Sequence, residues 1–278
     1  MKWTNIFINE MKRVFLNWKF LLIIILETIF ITFYTYVVVA PGIGILSKEI
    51  AAIESGKSLT FLTGALYNWL GLSHNRYSII LFAVTPIIAA LPYGASLYMD
   101  EKNRYLNQII LRGGKRPYYL SKLAGLFLSG GLIAVYPFLL SLLMSMSILP
   151  VEHVSVAAHE FIVGNIAFIS LLYNNTTIYL IMMLLWLFLI YGLLNCLCFV
   201  GSYLFSNRFI VASFPFAVYF ATGVLGQFAP LNATPWVYGR MENMTKDMLW
   251  IALLEIIVIV VTCLSVCIHK MSERDDAI

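Results

Sequence analysis

Phe20–Val39 reads FLLIIILETIFITFYTYVVV, twenty residues with a single charge, Glu27. At a rise of about 1.5 Å per residue, a helix of this length spans roughly 30 Å, the thickness of a bilayer's hydrocarbon core. The run is longer than the roughly 7–15 apolar residues of a secretory signal, so it reads as an uncleaved first span. Five more runs of that length follow: Ser78–Met99, Tyr119–Ile148, Ile178–Phe205, Phe209–Phe228 and Met248–Ile268. The whole chain is 61% hydrophobic and 12% charged, against roughly 45–50% and about 25% in a soluble domain. One core cannot hide that surplus, so lipid is the solvent for much of the surface. The expectation is an all-α polytopic membrane protein, a single transmembrane domain over residues 1–278.

Two shorter elements flank this frame. In residues 1–18, Trp3, Phe7, Met11, Val14 and Trp18 recur at helical spacing while Lys2, Asn5, Asn9, Lys12 and Arg13 take other faces. That pattern predicts an amphipathic helix lying in the membrane interface. Phe161–Leu172, at twelve residues, is too short to cross and predicts a re-entrant or interfacial helix on the outer side.

Basic residues orient the bundle. With both termini cytosolic, the inner segments hold Lys2, Lys12, Arg13, Lys19, Lys102, Arg104, Arg112, Lys115, Arg116, Lys122, Arg208, Lys270 and Arg274, thirteen in all. The outer segments hold five: Lys48, Lys57, Arg76, Arg240 and Lys246. This asymmetry predicts a multi-pass protein of the cell membrane with that orientation. The net charge of +4 is spread over short segments that meet lipid headgroups, so nucleic acid is not an expected partner. The plan leaves one substantial cytosolic loop, residues 100–118.

Catalytic signatures fail one by one. Gly113-Gly114-Lys115-Arg116 lacks the upstream glycine and the hydroxyl of a phosphate-binding loop. His159-Glu160 is followed at the zinc-ligand position by Val163 rather than histidine. Cys263 and Cys267, four apart, share a helix face and with His269 could be read as metal ligands, yet such residues at the end of a span read as packing instead. No catalytic residue, metal or cofactor is expected in this chain. Two acids stand apart: Glu27 in the first span and Glu255 in the sixth. A carboxylate at bilayer depth costs about 2.5–3.5 kcal/mol on insertion scales, so it faces the bundle interior or a wet cavity. Both are candidates for lining a pathway.

The loop after the second span reads Tyr98-Met99-Asp100-Glu101-Lys102-Asn103-Arg104, then Leu106–Leu111, Arg112-Gly113-Gly114-Lys115-Arg116-Pro117 and Leu120-Ser121-Lys122. It resembles the ATP-binding-cassette permeases of the type-2 export family, in which an acid leaves the second span ahead of a short amphipathic stretch. An arginine turn comes next, and a lysine opens the third span. Asp100 or Glu101 matches the acid, Ile109–Leu111 the apolar stretch, Arg116 the arginine and Lys122 the lysine. Many members have Gly-Thr early in this loop, where this chain has Arg104-Tyr105, and a proline at the turn, where it has Gly113. The interfacial helix, six spans and cytosolic termini are also similar to that family.

The resemblance implies the permease subunit of an exporter, not itself an enzyme, with ATP and Mg bound by a separate ATPase subunit. It also implies a homodimer or a pair with a related permease. Loop residues Asp100, Glu101, Arg104, Leu106, Ile110, Arg112 and Arg116 would couple to the ATPase. Abundant aromatics and Met suit an amphipathic or hydrophobic cargo such as a peptide, lipid-like molecule or drug. A proton-coupled transporter using Glu27 and Glu255, and a non-transporting immunity or sensor subunit, are the alternatives.

Overall fold

In lipid the backbone must satisfy its own polar groups, and the long apolar runs accordingly form helices. The computed structural model describes residues 3–56, 63–151, 167–228, 239–240 and 244–272. Its helices are α1 (Trp3–Phe15), α2 (Trp18–Tyr34), α3 (Gly42–Glu54), α4 (Arg76–Ala90), α5 (Ser96–Lys102), α6 (Tyr105–Gly113), α7 (Lys115–Ile148), α8 (Ile169–Asn174), α9 (Thr176–Leu204), α10 (Arg208–Gln227) and α11 (Lys246–Ser272). Asparagines start three of them: the side chains of Asn17, Asn75 and Asn207 accept from Lys19, Ser78 and Phe209 amides at 3.1, 2.9 and 2.9 Å. Five stretches are long and apolar enough to cross a membrane: Trp18–Glu54, Lys115–Ile148, Thr176–Leu204, Arg208–Gln227 and Lys246–Ser272. The chain is a helical, multi-pass membrane protein.

The remaining expected span, Ser78–Met99, is not one helix. It stops at Ala90, turns through residues 91–95 and resumes as α5. Pro92 has no amide to continue the ladder. Gly94 then lets α9 close in, since a side chain there would meet the Ala90 carbonyl at 2.5 Å and Cys198 Sγ at 2.7 Å. Asn17 Nδ2 donates to the Pro92 carbonyl at 3.0 Å, so the break is tied to the start of α2. Pro86 sits inside α4 and leaves the Phe82 carbonyl without its helical donor. The hydroxyls of Tyr191 and Tyr219 supply it, at 3.1 and 3.3 Å.

The first span also exceeds its expected end at Val39. After a π-helical turn at Thr35–Val39 the chain continues into α3, with Pro41 at the helix start where its missing amide costs nothing. Segment 40–77, expected as an outer connection, therefore begins as helix. Its later part, residues 63–72, folds back as buried turns, with Trp69 Nε1 donating to the Phe138 carbonyl at 2.8 Å. Of Phe161–Leu172, residues 161–166 lie outside the described residues and the end joins α8.

Helices α7 and α9 form the centre. Gly130, Gly131 and Gly192 let them approach until added side chains would lie 2.4 Å from Asn195, 2.7 Å from Phe188 and 2.9 Å from Phe127. Small residues serve this purpose in membranes, where dispersion replaces the hydrophobic drive. Asn195 Nδ2 bridges the contact to the Leu126 carbonyl at 2.7 Å. Around this pair pack α1, α2, α4, α10 and α11.

Candidate functional site

At the end of the bundle that carries α6, four charged side chains converge from three helices. Lys122 of α7 is 0% exposed; its Nζ lies 2.6 Å from Asp100 Oδ2 on α5 and 3.1 Å from Glu10 Oε2 on α1. Arg13 holds Asp100 through both guanidinium nitrogens, at 2.5 and 3.0 Å, and Glu10 at 2.8 Å. Tyr118 donates to Asp100 at 2.7 Å, and Tyr93, in the break after α4, donates to Glu10. Two acids and two bases neutralise one another, which buried charges require. Burial alone would raise the Asp100 carboxyl, but the Arg13 hydrogen bond and the charge of Lys122 hold it below its ordinary 3.8. Burial likewise opposes the Arg13 charge, and the Asp100 hydrogen bond with the field of Glu10 outweighs it, raising Arg13 above its ordinary value.

Helix α6 is mounted on this cluster. Arg13 stacks over the Tyr105 ring at 4.6 Å, at the first residue of α6. Gly114, at φ 86, makes the turn from α6 into α7, which glycine adopts without strain. Arg104, just ahead of α6, holds a left-handed backbone at φ 56. Helix α5 is clamped elsewhere too: Tyr98 donates to the Ser206 carbonyl at 2.7 Å, and Glu101 pairs with Lys270 of α11 at 3.2 Å. Helices α5 and α6 together thus contact α1, α7, the α9–α10 turn and α11.

The expected coupling residues divide by position. Asp100 is buried at the centre of the cluster, and Glu101 is half-buried on Lys270. Leu106 and Ile109 pack against their own bundle, Ile110 is half-buried, and Leu111 points outward, 75% exposed. Arg104 and Arg116 are exposed; the Arg112 side chain lies outside the described residues. Residue types alone did not single out Glu10, Tyr93 or Tyr118. Glu10 had one signal: it falls on the buried stripe Ile6–Glu10–Val14 of α1, where an acid needs a partner.

The intramembrane acids are elsewhere. Glu27 is 6% exposed, and its Oε2 accepts no hydrogen bond among the described residues. It lines an apolar cavity of about 240 Å³ between α2 and α4. Glu255 lines another, of about 290 Å³, with Thr222 among α9, α10 and α11. The two acids do not share a cavity.

At the opposite end Arg240 donates to Ser78 Oγ at 2.7 Å and His74 Nδ1 at 2.8 Å, over the Phe82 ring at 4.7 Å. Burial and then the Arg240 charge lower the His74 pKa, keeping the ring a neutral acceptor.

No protein-family model, curated protein or solved structure matches the chain.

Proposed function

We propose that this chain is the permease subunit of an ATP-driven exporter of the ATP-binding-cassette type, moving an amphipathic or hydrophobic substrate outward with energy from a separate ATPase. The observation that carries the reading is α6: a short amphipathic helix with Leu111 turned outward, flanked by exposed Arg104 and Arg116, and braced by buried ion pairs on the bundle's own helices. An amphipathic helix of this kind suits a groove on a partner, with its charges fixing register. The left-handed backbone at Arg104 adds support, because many members of the family that the loop resembles have glycine in that part of it. In this reading α4 and α5 together make the second of six crossings, and α1 lies in the interface. Both termini are cytosolic in the cell membrane, as the charge asymmetry implies. ATP and Mg belong to the ATPase subunit, and the permease works as a homodimer or beside a related permease.

A tagged chain purified from its own membranes should carry an ATP-hydrolysing subunit. Reversing Arg116 with Arg116→Glu should release that subunit and stop export while leaving insertion and melting unchanged. An unchanged set of co-purifying proteins, with export intact, would defeat the reading. A second reading, proton-coupled transport, draws on Glu27 and Glu255 lining cavities within the spans. Transport by the purified chain alone, driven by a proton gradient without ATP, would select it.

A further inference from the structure

Helices α2 and α4 both pack on α7 and leave a cleft between them. Leu26, Phe30, Ile80, Val84 and Ile88 supply apolar walls, and Glu27 is the one charged group among the lining residues. The rim residues Leu26, Ile80, Val84 and Leu91 are exposed, so the cleft opens sideways, away from the bundle centre. Water is a poor occupant: a buried water needs two to four polar partners, and these walls offer one carboxyl. The carboxyl also lacks a cation from its own chain, since the six apolar runs hold a single Lys, Arg or His, Lys122, and that one is spent on Glu10 and Asp100. For the same reason a second copy, placed at the same depth, brings no counter-charge. The occupant that matches these walls has an apolar body and a single cationic head that donates hydrogen bonds.

We infer that the α2–α4 cleft is a binding site for a lipophilic amine that enters from the bilayer and pairs its ammonium group with Glu27. The free Oε2 is the acceptor, and the apolar walls take the alkyl or aromatic body. As the place where cargo is loaded, the cleft rests on the export reading above; as a binding site it stands on its own residues.

The test is equilibrium binding of tritiated decylamine, protonated at neutral pH, to the purified full chain in phosphatidylcholine nanodiscs, with decanol as the neutral control. Wild type should bind decylamine saturably. Glu27→Gln keeps the shape and removes the charge, and should weaken binding by about thirtyfold or more, the effect of losing one member of a buried charge pair. Val84→Trp fills the cleft while sparing the carboxyl, and should abolish saturable binding. Glu255→Gln should bind as wild type does. Two results overturn the inference: decylamine affinity unchanged in Glu27→Gln, or decanol binding as tightly as decylamine and displacing it, which makes the cleft an acyl-chain groove. A dimer that dissociates in Val84→Trp, with no decylamine bound by wild type, also overturns it in favour of a second copy. Decylamine binding without any ATP-driven export sinks only the export reading; export that persists without decylamine binding sinks only the cleft.

Discussion

Asp100 and Glu27 are both buried carboxylates, and their surroundings could hardly differ more. Asp100 receives Arg13 twice, Lys122 and Tyr118. Glu27 faces hydrocarbon walls with one oxygen lacking any donor among the described residues. A saturated buried acid is a strut: its partners are already in place, and taking one away leaves an uncompensated charge. An acid left short of donors in an apolar cleft is poised for something that arrives from outside. The comparison separates the residues that brace α6 from the residue that meets a ligand.

The strut should fail first. Lys122→Met removes the cation shared by Glu10 and Asp100, and breaking a buried pair this way costs about 3–5 kcal/mol. The thermal midpoint of the purified protein should fall sharply, whereas Glu27→Gln should leave it unchanged or raise it, since it breaks no ion pair among the described residues. Equal midpoints for the two variants would erase the contrast.

Acid gives a milder break. Asp100 titrates below its ordinary value when folded, so its contribution is complete above the unfolded pKa and is lost as pH falls through the folded one. Stability should be flat from neutral pH to about pH 5 as far as this group decides it, and decline below about pH 4. Asp100→Asn should start lower and flatten that acid limb. Midpoints that fall equally with acid in both proteins would remove Asp100 from the account.

The smallest effect concerns the backbone ahead of α6. A left-handed conformation costs a residue with a side chain about 1 kcal/mol that glycine does not pay. Arg104→Gly should therefore stabilise the fold slightly or leave it unchanged, with the loss of one exposed charge. Destabilisation by more than about 1 kcal/mol would mean that the Arg104 side chain holds the loop.

Hydropathy is a local property, and for that reason the spans were legible in the sequence. Five of the expected runs coincide with long helices, with shifted ends. The break in Ser78–Met99 was not legible from composition, because Pro92 and Gly94 interrupt a backbone without lowering its apolar content. Residues 63–72 read as an outer connection since the apolar set Leu66, Trp69, Leu70 and Leu72 is too short to register as an element. Lone acids inside apolar runs draw attention by themselves, so Glu27 and Glu255 were legible. The ion cluster was not: Arg13 meets Asp100 across 87 positions, and Lys122 meets Glu10 across 112. Charges at the ends of spans read equally well as headgroup contacts, and only packing decides which are neutralised inside. Arg13 and Lys122, two of the thirteen cations that set the expected orientation, turn out to be spent on Glu10 and Asp100. Helix α6 was legible as an amphipathic stretch, but its facing was not: Leu106 turns in and Leu111 turns out.

That facing also supplies the most direct test of the central claim, that α6 is where an ATPase docks. A photo-crosslinking amino acid is placed at Leu111 in one variant and at Leu106 in another, and native membranes are irradiated. The position-111 variant should give a single adduct with an ATP-binding subunit, and the position-106 variant should crosslink within its own chain. Adducts absent at 111, or equally abundant at both positions, would contradict docking through the outward face of α6.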